Sequence, residues 1–294
     1  MKILVAMLYT SLSFVVYCQQ NIDSLENVWS NTRAPSSERL KAKEKLIKAS
    51  KSNYPANFVD EVNSYISFAK KNNQRKHELR GYQNVGLYYF KSGLYKKAHA
   101  NYEKSLTFID KNTIVVDIVQ GYNGLASSNQ ALGKYSNATT DYLKSWDLIK
   151  DTEFNRAKTV VLGNLGNLYL HLEKYEEALE VFDLTLGFFK QNEDTKKIVN
   201  AYLNLGAVHG NLKDYTKSFA YYDTSVSILK AQHNILTLCS CYLNMTSVAL
   251  NMTDTLKAKL YLEKAINAGA RTANKLTEAK SLFYIYLFYL HHYL

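Results

Sequence analysis

Four asparagines, Asn84, Asn164, Asn204 and Asn244, stand at intervals of 40 residues or a multiple of it. The same interval places a fifth position at Gly124, with Asn123 beside it. A carboxamide donates and accepts hydrogen bonds at once. A row of them can pair with the amides of an extended peptide, so Asn84, Asn123, Asn164, Asn204 and Asn244 are the candidate peptide-binding residues. The alternative is an array of solvated side chains copied along with a duplicated segment.

No other residues assemble into a reactive set. The seven histidines show no metal-ligand spacing on one face. His171 and His209 suit packing or hydrogen bonding. No glycine-rich phosphate loop and no GxSxG elbow occurs. Cys239 and Cys241 lie two apart on one expected helix, point to different faces and cannot easily bridge. They read as buried structural thiols. The glycosylation triplets at Asn137, Asn244 and Asn251 fall in helices or tight turns and carry little weight. The expectation is a non-enzyme without cofactor or metal.

The elements that position the asparagines follow from the same interval. GLYKKAHANYEKS, GKYSNATTDYLKS, EKYEEALEVFDLT and KDYTKSFAYYDTS put a tyrosine at 95, 135, 175 and 215, spaced 40 apart. A fixed period of this size marks a solenoid, in which each unit buries its apolar face against its neighbours. Each unit reads as two helices. The first carries NVGLYY, GLASSN, NLGNLY, NLGAVH or NMTSVA, the second the tyrosine segment or TLKAKLYLEKA, and polar stretches such as IDKNT and KQNEDT turn between units. Only Pro35 and Pro55 occur, and both precede these units. Ser36 or Ser37 is expected to cap one earlier helix and Pro55 to open another.

These residues resemble the tetratricopeptide repeat family, whose motif spaces small and aromatic residues along a helix pair. The unit from Leu79 matches with Tyr82, Val85, Gly86, Tyr89, Tyr95, Ala98, Tyr102 and Ser105. The unit from Val119 has Asn129 in place of the first aromatic, and the unit from Thr159 matches throughout. The unit from Val199 has Ser218 for the alanine, and the unit from Cys239 has Thr246 and Thr255 for the glycine and tyrosine. The resemblance implies an all-α, right-handed superhelical solenoid of antiparallel helix pairs. It implies that Gly86 faces Ala98 at the helix crossing and that Tyr89, Tyr95 and Tyr102 fill the groove to the next unit. It also implies that first helices line a concave surface, with the asparagines facing inward. The 40-residue form is similar to spindle-orientation adaptors and bacterial peptide-pheromone receptors. Relatives that grip a terminal carboxylate use basic residues at the second motif position. Here that position reads Arg80, Gln120, Val160, Asn200, Ser240 and Lys280, which offers no basic clamp in the middle units.

Residues 1–18 read as a signal peptide, with Lys2 before an apolar run and Val16 and Cys18 preceding a cleavage that leaves Gln19 first. The run is too short for a confident membrane span. A lipid anchor on Cys18 is the alternative, and the bulky Tyr17 stands against it. Residues 19–36 read as a linker with a short helix near Ile22–Trp29, 37–78 as a divergent first repeat, 79–278 as five units, and 279–294 as an unpaired first helix. That last stretch, LFYIYLFYL and its flanks, reads as an imperfect cap, a self-association surface that meets another subunit or a sign that this chain is a fragment of a longer protein.

The formal charge of +10 comes from scattered lysines, which suits a solvated exterior rather than a nucleic-acid site. The expected function is a scaffold outside the cytoplasm, periplasmic or secreted, that binds a peptide or protein segment. The alternative is the sensory portion of a signalling protein.

Overall fold

The computed structural model describes residues 21–191 and 194–269. The expected signal segment and the aromatic stretch after residue 278 lie outside them. The described residues form α1 (residues 21–30), α2 (Ser36–Ser50), α3 (Phe58–Lys71), α4 (Arg75–Lys91), α5 (Tyr95–Leu106), α6 (Val115–Ala131), α7 (Tyr135–Ile149), α8 (Asn155–His171), α9 (Tyr175–Gln191), α10 (Thr195–Asn211), α11 (Tyr215–Ala231), α12 (Ile235–Asn251) and α13 (Thr255–Gly269). No strand occurs among them. The fold is an all-α solenoid of antiparallel helix pairs. It divides into two compact units, Met1–Ala157 and Lys158–Leu294, with the boundary in the first turn of α8.

One turn geometry repeats through both units. Leu94, Lys134, Lys174, Asp214 and Asp254 each donate a backbone N–H to the carbonyl five residues earlier, at 2.8–3.0 Å. This is the six-to-one bond of a Schellman motif, which ends a helix on a left-handed residue. That residue is Gly93 or Gly133 at φ 74° in the first unit. In the second unit Glu173, Lys213 and Thr253 take the same conformation at φ 58–61°, each against a side-chain penalty. The second unit has a compensating device. Asp194, Asp214 and Asn234 cap their helices by accepting from the backbone N–H three residues on, and the Asp254 carboxylate accepts the Lys257 N–H likewise. Each such cap contributes about 1 kcal/mol. The corresponding Gln74, Leu94, Ile114 and Lys134 of the first unit make no side-chain cap.

The repeated small residues are fully covered. Ala98, Ala138, Ala178, Ser218 and Ala258 have no exposed surface. Ser218 replaces alanine without leaving an unpaired hydroxyl, because its Oγ donates to the Gly206 carbonyl at 2.7 Å. The repeated glycines serve differently from the expectation. They receive aromatic rings: a Cβ on Gly86 would meet the Tyr102 ring at 3.1 Å, one on Gly166 the Phe182 ring at 2.6 Å, and one on Gly206 the Tyr222 ring at 2.8 Å. Tyr102 continues across to α6, where a Cβ on Gly124 would lie 2.2 Å from its ring. Tyr102 therefore does fill the groove to the next pair. Tyr95 does not; it stays 36% exposed at the start of α5, against Phe90.

Two N-terminal features also differ. Neither Ser36 nor Ser37 caps α2; the Pro35 carbonyl accepts from Glu38 and Arg39 instead. Within the expected linker, residues 21–30 form helix α1, where the short helix near Ile22–Trp29 is expected. Trp29 meets Phe68 edge-on at 5.1 Å, and the Arg39 guanidinium lies over both rings. α3 opens at Phe58, whose N–H reaches the Pro55 carbonyl.

Asn129, which departs from the aromatic expected at its position, has a partner that explains it. Its Nδ2 donates to Asp141 Oδ2 at 3.0 Å in a buried site, while its Oδ1 is enclosed without a partner. Burial raises the Asp141 pKa, against the hydrogen bond from Asn129 and the charge of Lys144. A carboxyl raised in the fold binds its proton more tightly there than in the unfolded chain. Stability is therefore lost as pH rises through the folded value, and the penalty is fully present at neutral pH. Asp141→Asn keeps the acceptor and adds a donor for the orphaned Asn129 oxygen. At pH 7 it should stabilise the chain by about 1 kcal/mol, the gain shrinking as pH falls into the carboxylate range. Thermal melts of both proteins at pH 7 and pH 4 check this. A variant less stable than the parent at pH 7 would show that the carboxylate charge is needed.

Candidate functional site

The asparagines lie on first helices, and the two units treat them differently. In the first unit, Asn84 sits on α4 and is only 7% exposed; Asn123 on α6 is half-buried. In the second unit, Asn164, Asn204 and Asn244 are half-buried on α8, α10 and α12. Within each unit neighbouring first helices touch directly, α4 against α6 and α10 against α12. Asn204 and Asn244 thus occupy matching positions on adjacent helices. Their carboxamides make no hydrogen bond among the described residues, so their donors and acceptors remain open to a ligand. Asn84 is too covered to present its amide in the same way.

The first unit spends this face on internal bonding. Arg80 Nε donates to Asp117 at 3.0–3.1 Å, and its Nη1 donates to Glu44 Oε1 at 2.7 Å. Gln83 Nε2 donates to the Asp117 carbonyl at 2.7 Å. Tyr65 Oη and His77 Nδ1 share a 2.7 Å hydrogen bond, and Glu44 lies 3.6 Å from the same nitrogen. Burial, more than the neighbouring charges, lowers the His77 pKa. These groups knit α2, α3, α4 and α6 together. Arg80, the basic residue at the second motif position, is fully engaged by two carboxylates.

The second unit presents a different surface. Residues spaced three and four apart share a helix face. On α8 that face carries Val160, Gly163, Asn164 and Asn167; on α10, Asn200, Leu203, Asn204 and Ala207; on α12, Ser240, Asn244 and Ser247. None of these side chains is charged. A Cβ added to Gly163 would meet nothing within 4 Å, so α8 offers bare backbone beside Asn164. The recurrence that identified Asn164, Asn204 and Asn244 missed Asn167 and Asn200, which are exposed on the same faces. Helical spacing from each recurrent asparagine would have found both.

His209 is buried, stacked on Tyr221 at 5.4 Å, and 3.5 Å from Asp214. Burial lowers its pKa, and it acts as a packing residue. Cys239 and Cys241 are fully buried on opposite sides of α12. Cys239 Sγ donates to the Ala265 carbonyl on α13, and Cys241 Sγ to the Tyr222 carbonyl on α11. Burial pushes the Cys241 thiol up to about 12. Among the described residues, no group of three His, Cys, Asp or Glu side chains could hold a metal, and no helix is long and apolar enough to cross a membrane.

The Tetratricopeptide repeat family matches residues 79–112, 160–185 and 199–228. No curated protein matches the chain in sequence. Solved structures similar in fold include BtubC from P. vanneervenii, at 17% identity and a TM-score of 0.62 over 78% of this chain and 91% of that one. A signal transduction ATPase with a tetratricopeptide repeat sensor, from Pyrococcus horikoshii, aligns at 15% identity and a TM-score of 0.72. That alignment covers 90% of this chain and 40% of the ATPase. A Rap protein complexed with Competence and Sporulation Factor aligns at 16% identity and a TM-score of 0.59, over 90% of this chain and 79% of that one.

Proposed function

We propose, on the premise that this chain is a tetratricopeptide repeat protein, that it is a non-catalytic scaffold which binds an extended peptide segment along the first helices of its second unit. The observation that carries this reading is the pair Asn204 and Asn244. They repeat on touching helices, hold no internal hydrogen bond among the described residues and have only uncharged side chains one turn to either side on their own faces. An extended peptide has unpaired amides along its length, and carboxamides satisfy both their donors and acceptors. Asn164, with open backbone at Gly163, extends the row. The Rap protein of similar fold was crystallised with its factor bound, which supports a ligand role for such a solenoid.

Peptides selected from a random display library against the chain provide the test. Replacing Asn164, Asn204 and Asn244 with alanine should weaken the selected peptides by more than about tenfold, since each lost hydrogen bond is worth about 1 kcal/mol. The melting temperature should barely move. Parent-like affinity in the triple variant would make the asparagines bystanders.

The similarity to a repeat sensor within a larger ATPase supports a second reading, in which this chain is the sensory part of a signalling protein. Immunoblotting for a native product larger than 33.6 kDa distinguishes it. The scaffold is placed outside the cytoplasm on the strength of Lys2 and the apolar run after it. Mass spectrometry of the native protein should find Gln19 first; an intact Met1 or a lipid on Cys18 would overturn that placement.

A further inference from the structure

A cleft of about 820 Å³ opens in the first unit between α1, α2 and α3. Helical spacing aims Ile22, Glu26 and Trp29 of α1 into it, facing Lys43 and Ile47 of α2 and Phe58 of α3. Its volume lies within the range of ligand pockets, about 300–1,000 Å³. Its walls mix apolar side chains, Ile22, Trp29, Leu46 and Pro55 among them, with polar ones such as Asn27 and Asn57, and its charges are unequal. Lys43 is 5% exposed, ion-paired with Glu61 and held 5.2 Å from the Trp29 ring. That cation is already neutralised. Glu26 is exposed and makes no ion pair among the described residues. In a chain of net charge +10, this cleft carries an uncompensated negative charge beside an aromatic wall.

We propose that the cleft is a second binding site, which takes an apolar side chain flanked by cations in a peptide ligand. Ile22 and Trp29 contact the apolar group, and Glu26 meets the adjoining lysine or arginine. The site is independent of the asparagine face.

The test uses the full chain carrying Trp146→Phe, which leaves Trp29 as the only tryptophan. Trp29 emission is followed while adding the blocked peptide Lys-Leu-Phe-Leu-Lys, or its counterpart with glutamate at both ends. The cationic peptide should give a saturable change and bind about tenfold tighter than the acidic one. Glu26→Gln should weaken it about threefold to fivefold, as fits one partly exposed ion pair. Ala49→Trp, at an exposed position on the cleft wall, should block binding while the helical circular dichroism signal is kept. The asparagine variants should bind this probe as the parent does. No saturable change, equal binding of the two peptides, or parent-like binding by a folded Ala49→Trp variant would each overturn the proposal.

Discussion

Gly124→Asn should destabilise the chain by about 3 kcal/mol, although it supplies the asparagine that the repeat lacks at that position. The reason is the Tyr102 ring. A Cβ at residue 124 would lie 2.2–2.5 Å from three of its atoms. The ring cannot step aside, because Tyr102 is 5% exposed and its opposite edge already packs against Gly86. Overpacking of this kind forces rings or helices apart. The same exchange at Gly163 should be neutral or slightly stabilising, since a Cβ there meets nothing and glycine weakens a helix by about 0.5–1 kcal/mol. Gly166→Leu should resemble the harmful exchange, because the Phe182 ring stands at 2.6 Å. Urea denaturation of the three variants checks the ranking. An unchanged midpoint for Gly124→Asn would mean that Tyr102 does not pack between the two helices.

Arg80→Met should cost about 3 kcal/mol. The substitution removes the partner of Asp117, a carboxylate only 5% exposed, and leaves its charge enclosed. Breaking a buried pair from one side costs about 3–5 kcal/mol. The lower end applies because the Arg80 and Glu44 side chains retain 22% and 32% exposure. Adding Asp117→Asn should recover most of the loss, since the stranded charge is then gone. Thermal melts of the single and double variants decide it. A double variant as unstable as Arg80→Met would show that the guanidinium packs rather than pairs.

The spacing of tyrosines 95, 135, 175 and 215 made the helix pairs legible, because each tyrosine opens the second helix after the same turn. The buried alanines were legible for the same reason. What each glycine admits was not. Gly86 and Gly166 hold one repeat position and Gly124 another, but the period does not say that the first two receive a ring from their own pair and the third from the preceding one. Arg80 shows a further limit. Its position suggested an exposed inner face, but Glu44 and Asp117, 36 and 37 residues away, claim its donors. Asn84 falls on the same side of that division, covered among charged neighbours. The polar face of the second unit was half visible: the period marked Asn164, Asn204 and Asn244, while Asn167 and Asn200 required the helix geometry.

The central claim is that ligand lies on the first helices of the second unit. A selected peptide carrying a photoreactive residue, crosslinked to the chain and mapped by mass spectrometry, tests it most directly. The account predicts crosslinks on α10 and α12, at or within one turn of Asn204 and Asn244; crosslinks confined to α11 and α13 would contradict it.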